Sequence, residues 1–121
     1  MTPKERIDAM ITKHPRLFPN GQPRCGFDCP PGWLGIVERL CEELDAMPFD
    51  DDATFMVEQV KEKFGGLRYY ISCGTKDMHD AISRAESESV RTCQDCGAPG
   101  KKRSGGWIRT LCDEHARERA R

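Results

Sequence analysis

The tightest constraint on this chain is a set of four side chains in its last quarter: Cys93, Cys96, Cys112 and His115. They form two pairs, each with two residues between its members, and fifteen residues separate the pairs. A two-residue gap lets both members of a pair project from one tight turn or one turn of helix. Three thiolates and an imidazole at this spacing are the donor set of a tetrahedral, structural Zn²⁺ site. Unrelated thiols beside a surface histidine would not be spaced in pairs. Gly97 follows the first pair and suits a knuckle whose exit needs positive φ, which glycine adopts without steric conflict. Gly105-Gly106 marks a turn, and Trp107, Ile108 and Leu111 form an apolar run into the second pair. From Asp113 onward the sequence reads as a helix. Cys112 and His115 then share a face of its first turn, because residues three apart are neighbours. Protein atoms would fill all four positions. A closed site of this kind holds a fold together, whereas a catalytic zinc keeps a position for water.

Size agrees with a metal staple. At 121 residues, 37% hydrophobic and 32% charged, the chain supports one domain with a modest core. Seven cysteines are an odd number and argue against a complete disulfide framework. No apolar run reaches membrane-spanning length, and the start, Met1 to Arg6, is polar, so neither a membrane partner nor a secretory leader is expected. The reading is a cytoplasmic protein with reduced thiols. Charge is unevenly divided. Residues 1–90 carry 11 Lys/Arg against 16 Asp/Glu, a net −5, while residues 91–121 carry 8 against 4, a net +4. A basic segment beside an acidic one hints at a polyanionic partner, although a merely solvated surface would look the same.

Along the chain, Thr2 to Lys13 reads as a helix. Thr2 caps it, Pro3 takes the first position and Glu5 completes a capping box. Ile7, Met10 and Ile11 form its apolar stripe, and His14-Pro15 ends it. The stretch to Pro31, with Pro19, Pro23 and Pro30 and two glycines, is too interrupted for a regular element and reads as an ordered loop or docking surface, with Phe27 and Trp33 nearby. It holds Cys25 and Cys29. These are open to three readings: half of a second metal centre, a redox pair, or thiols packed against the next helix.

Gly32 to Met47 is the strongest helix. Trp33, Ile36, Val37, Leu40, Cys41 and Leu44 recur at helical spacing on one face. Asp50-Asp51-Asp52 reads as a solvated acidic turn. Adjacent carboxylates do not converge on one ion without further ligands.

Phe55 to Cys73 reads as a β-hairpin turning at Gly65-Gly66. In that register Phe64 faces Leu67, Lys63 faces Arg68 and Val60 faces Ile71. Met56, Val60, Phe64, Leu67, Tyr69 and Ile71 would form the core face. The other face would carry Phe55, Val57, Gln59, Lys61, Lys63, Arg68, Tyr70 and Ser72. Asp77 to about Arg91 reads as a third helix, capped by Asp77, with Met78, Ala81, Ile82 and Ala85 buried and His79 off the stripe.

Catalytic signatures are missing from the sequence. Gly65-Gly66 lacks the context of a phosphate-binding loop, and no GxSxG elbow, HExxH helix, kinase set or zinc-deaminase pairing occurs. The only histidine of the finger is used as a ligand. The chain is therefore not expected to be an enzyme.

Several segments carry resemblances. Knuckle, hairpin and helix from Thr92-Cys93 to His115 resemble a treble-clef or zinc-ribbon finger. Together with Cys25-Gly26-Phe27-Asp28-Cys29, Gly32-Trp33 and Glu58 to Tyr70, the finger is similar to small proteins encoded in phages and prophages, of unestablished function. This implies an accessory gene product acting in the cytoplasm of a host cell. The finger alone also resembles that of DksA/TraR-type regulators of RNA polymerase. This chain departs from them in having His115 where they have Cys, and in lacking their long coiled-coil hairpin.

The sequence therefore predicts an α+β fold, a small single domain with helices packed on a β-hairpin. A body over 1–91 would carry a docked zinc finger over 92–121. The expected function is non-catalytic binding that modulates or inhibits a host protein, a regulator or a defence component. The alternative is nucleic-acid binding through Lys61, Lys63, Arg68, Tyr70, Lys101, Lys102, Arg103 and Arg109.

Overall fold

The computed structural model describes residues 1–49 and 55–120. The acidic run Asp50-Asp51-Asp52 lies outside the described residues. The chain is α+β, in the order α1 (Pro3–Lys13), a 3₁₀ turn (Pro31–Trp33), α2 (Leu34–Asp45), β1 (Met56–Lys63), β2 (Gly66–Ser72), α3 (Lys76–Ser89), β3 (Lys101–Arg103), β4 (Arg109–Leu111) and α4 (Asp113–Arg119). β1 pairs antiparallel with β2, and β3 with β4. Among the described residues no helix is long and apolar enough to cross a membrane.

α1 starts as its sequence requires. Thr2 Oγ1 accepts from Glu5 N at 3.1 Å, and Thr2 N donates to Glu5 Oε1 at 2.9 Å. This capping box satisfies two amides that the helix itself leaves free. α2 is the central element. Its face of Leu34, Ile36, Val37, Leu40, Cys41 and Leu44 is buried, against α1 on one side and α3 on the other. Trp33 is fully buried at its start, so it anchors the core and is not part of a docking surface. α3 begins at a cap formed by Thr75, whose hydroxyl accepts from Met78 N at 3.2 Å, and Asp77 falls inside the first turn instead of capping it. Its buried stripe is Met78, Ala81, Ile82 and Ala85, extended by Ser89, and it packs along β2. His79 is exposed.

A two-stranded sheet exposes a row of unpaired backbone groups on each edge, and here both edges are covered. The proline-rich loop runs alongside β1: Cys25 N donates to Glu58 O, Val60 N to Gly26 O and Asp28 N to Val60 O, at 2.8–3.0 Å, with Phe27 bridging Val60 in parallel. On the other side, side chains of α3 cap β2. Leu67 N donates to Ser89 Oγ at 2.9 Å and Tyr69 N to Glu86 Oε2 at 3.0 Å.

The hairpin corrects the expected register in two places. Its turn is Phe64-Gly65, not Gly65-Gly66. Both turn residues have positive φ, +54° and +79°, and Lys63 pairs with Gly66, Lys61 with Arg68 and Val60 with Tyr69. The shift of two residues preserves parity, so Val60, Leu67 and Tyr69 remain on the core face. Gln59, Lys61, Lys63, Arg68 and Tyr70 remain on the other. Phe64 leaves the core face and stands 62% exposed at the tip. The second correction is a bulge between Val57 and Gln59. The extra residue inverts the strand before it, so Phe55 and Val57 turn inward and are buried rather than outward-facing.

A bulky residue in the left-handed region is strained by roughly 1–2 kcal/mol, and Phe64 recovers little of that by burial. Phe64→Asn, which tolerates this conformation, is expected to raise stability by about 1 kcal/mol. A chemical-denaturation midpoint that stayed put or fell would contradict this account of the turn.

Candidate metal centre

Three segments bring the centre together. The knuckle Cys93 to Gly97 closes through Gly97 N donating to Cys93 O at 2.9 Å, and Gly97 takes φ +84°. The β3–β4 hairpin reverses through Gly105 and Gly106 and delivers Cys112. Cys112 is the residue before α4, and His115 lies in its first turn.

Zinc with sulfur ligands at about 2.3 Å and nitrogen at about 2.0–2.1 Å separates its ligand atoms by roughly 3.5–3.8 Å. Here Cys96 Sγ and Cys112 Sγ are 3.8 Å apart, Cys93 Sγ and His115 Nδ1 3.7 Å, and Cys112 Sγ and His115 Nδ1 3.1 Å. All four donor atoms lie within 4.8 Å of one another. Two of these separations match a tetrahedral edge, the third is shorter and the widest longer, and three sulfurs with one imidazole so gathered could hold one metal ion. The outer contacts orient the donors. His115 turns Nε2 toward Glu118, 3.5 Å away, which leaves Nδ1 for the centre. Arg119 clamps Asp95 through two bonds at 3.0 and 2.7 Å, tying the end of α4 to the knuckle. Arg103 reaches Leu111 O at 3.0 Å and Asp113 at 2.9 Å. The backbone N–H and the imidazole of His115 hold the Cys112 thiol down at about 7, which favours the thiolate that metals bind.

The knuckle is bound to the rest of the chain by main-chain contacts. Gly32 N donates to Gln94 O at 2.7 Å, and the Trp33 indole donates to Thr92 O at 2.8 Å. Gln94 and Thr110 exchange two bonds, at 2.9 and 2.8 Å, and the Thr110 hydroxyl donates to Gly65 O at 2.5 Å. Gly32 is required by proximity: a Cβ there would sit 2.0 Å from Cys93 O.

The remaining candidate residues separate. Cys25 is exposed and Cys29 buried, and among the described residues neither belongs to a group of three or more metal-capable side chains. Burial, chiefly, pushes the Cys29 thiol up to about 12, as it does Cys41, so neither carries an appreciable thiolate at neutral pH. Lys61 and Arg68 pair across the outer face of the first hairpin, with Lys63 and Tyr70 on the same face. The finger cations do not form one surface. Lys102 pairs with Thr110 on one face of the second hairpin, whereas Lys101, Arg103 and Arg109 lie on the other, and Arg103 is engaged by Asp113.

The sequence placed Phe64 on the core face and showed Trp107 only as part of an apolar run. Trp107 is 72% exposed. Its position directly after Gly105-Gly106, at a hairpin tip, was the available signal, since a tip residue cannot reach the core. No protein-family model, curated protein or solved structure matches the chain.

Two measurements test this anatomy. Gly32→Ala should destabilise the protein by about 2 kcal/mol through forced displacement of the knuckle, and should speed metal loss to a chelator. Gly35→Ala, in the same region but with open space around the new methyl, should instead stabilise α2 by about 0.5–1 kcal/mol. Equal effects at the two glycines would refute the close-contact argument. Thiol labelling of the native, metal-loaded chain should modify the exposed Cys25 and Cys73 promptly and spare Cys29 and Cys41 until unfolding. Rapid labelling of Cys29 would reinstate a reactive pair.

Proposed function

We propose that this is a non-catalytic, zinc-stabilised binding protein, an accessory product of phage type that acts by occupying a host macromolecule. The observation that carries the reading is the closed centre, in which all four donor positions are filled by Cys93, Cys96, Cys112 and His115. An ion so enclosed has no position for water or substrate, so its contribution is structural. What it stabilises is a surface. The contacts from Gly32, Trp33 and Gly65 to the knuckle and to Thr110 hold the finger rigidly against the hairpin, and rigid placement lowers the ordering cost of binding a partner. Zinc is the ion of choice because three sulfurs and one imidazole in closed tetrahedral array suit it better than the harder divalent cations.

Native mass spectrometry should show one Zn²⁺ per chain, lost in Cys93→Ser together with the cooperative unfolding transition of the finger. Tagged protein should then retain one macromolecule in stoichiometric amount from host lysate, and Cys93→Ser should not. Retention unchanged by chelation and by Cys93→Ser would remove the structural role of the centre. Turnover of a substrate by the purified chain would remove the non-catalytic reading.

A further inference from the structure

The tip of the first hairpin and the loop of the finger enclose a cleft of about 280 Å³, lined by Lys61, Glu62, Lys63, Phe64, Trp107 and Ile108, with the Glu62 carboxylate accepting from Gly65 N at 2.7 Å. Its walls have three unusual features. Phe64 is held at φ +54° and is 62% exposed, so the fold tolerates backbone strain without burying the ring. Trp107 is 72% exposed, while the other tryptophan, Trp33, is completely buried. Lys61 and Lys63 have no carboxylate partner among the described residues, although most cations elsewhere on the chain are paired. Arg6, Lys13, Arg39, Arg84, Arg103 and Arg119 all have one. Beyond Trp107 a second cleft of about 260 Å³ continues the surface and brings in Arg109, which makes no close ion pair among the described residues, although its charge acts on Asp95.

We propose that this surface binds single-stranded nucleic acid, with Phe64 and Trp107 stacking on bases and Lys61, Lys63 and Arg109 meeting phosphates. The inference rests on the binding-protein reading above and names its partner. An apolar protein surface would cover the rings but strand the lysines. An acidic peptide would satisfy the lysines but offer no flat π-face to the rings. Each nucleotide of an unpaired strand supplies both a face and a phosphate. A duplex hides its faces in the stack, so protruding rings cannot use them. The net −5 of residues 1–90 opposes general adsorption of polyanions over the rest of that segment.

The test uses the zinc-loaded full chain and a fluorescein-labelled oligothymidylate or oligouridylate, with binding read by anisotropy and by quenching of Trp107. Binding to either single strand, with no comparable affinity for a duplex of equal length, is expected. Three phosphate contacts give a log–log salt slope of about −2, so a four-fold rise in salt should weaken binding roughly 20-fold. Phe64→Ala and Trp107→Ala should each weaken it about ten-fold or more, and Lys61→Ala/Lys63→Ala should flatten the salt slope, all without lowering the melting temperature. Absence of single-strand binding at low salt, preference for duplex, or indifference to both aromatic substitutions would overturn the proposal. Retention of a protein from nuclease-treated lysate that depends on Phe64 and Trp107 would also overturn it while leaving the binding-protein reading standing. Loss of every partner would sink both.

Discussion

Of all the glycines, Gly32 has the least room for a side chain, because it lies against the knuckle. There the backbone that starts the central helix lies against Cys93 and Gln94 with no room for a methyl group. One residue later, the buried Trp33 places its rings in the core and its indole N–H on Thr92. Core and metal centre are thereby two ends of one contact. The hydrophobic cluster fixes where α2 begins, and the knuckle docks on that beginning. Four donor atoms can then converge because three separate segments already have their places. In a chain of this size neither half has much stability to spare, and each supplies what the other lacks.

The hairpin shows how a second contact resolves a local ambiguity. Phe64-Gly65 and Gly65-Gly66 are both usable two-residue turns, and the second is free of strain. The first prevails because Gly65 O receives the Thr110 hydroxyl and Gly65 N is accepted by Glu62, while Gly66 enters the strand opposite Lys63. Docking of the finger and pairing of the strand offset the left-handed phenylalanine. The result leaves a large ring in solvent beside Trp107 and two lysines that have no carboxylate partner among the described residues, which is an arrangement that stability alone would not select.

Most charge on the body is spent on itself. Arg6–Glu38 and Lys13–Glu42 join α1 to α2, and Arg39–Glu88 and Arg84–Glu43 join α2 to α3. Pairs this exposed contribute little stability each, but they neutralise the helical flanks. Lys61 and Lys63, with no carboxylate ion pair among the described residues, line the cleft between the hairpin and the finger, and Arg109 lines the adjoining one, whereas Lys101 and Lys102 lie on opposite faces of the second hairpin.

Short-range chemistry determined what could be read from the sequence alone. The metal ligands are legible because ligand type and two-residue spacing are properties of a single turn. α1 and α2 are legible because a capping box and a 3.6-residue period are complete within their own segments. The partition of the hairpin into two faces survives a misplaced turn because a shift of two keeps parity. The remainder depended on partners distant in sequence. The bulge at Val57/Gln59 turns Phe55 and Val57 inward to fill the core, and nothing in the strand itself announces it. The proline-rich loop reads as surface but is used to cover β1. Thr75 and Asp77 are both competent caps, and only the position of α3 on β2 chooses between them. Phe64 and Trp107 are ordinary apolar residues until the docking of the finger sets them on either side of one cleft. Side-chain chemistry and local period were enough to specify the elements and the ligands. Which faces met, and what was left exposed between them, was decided by packing between segments far apart in the chain.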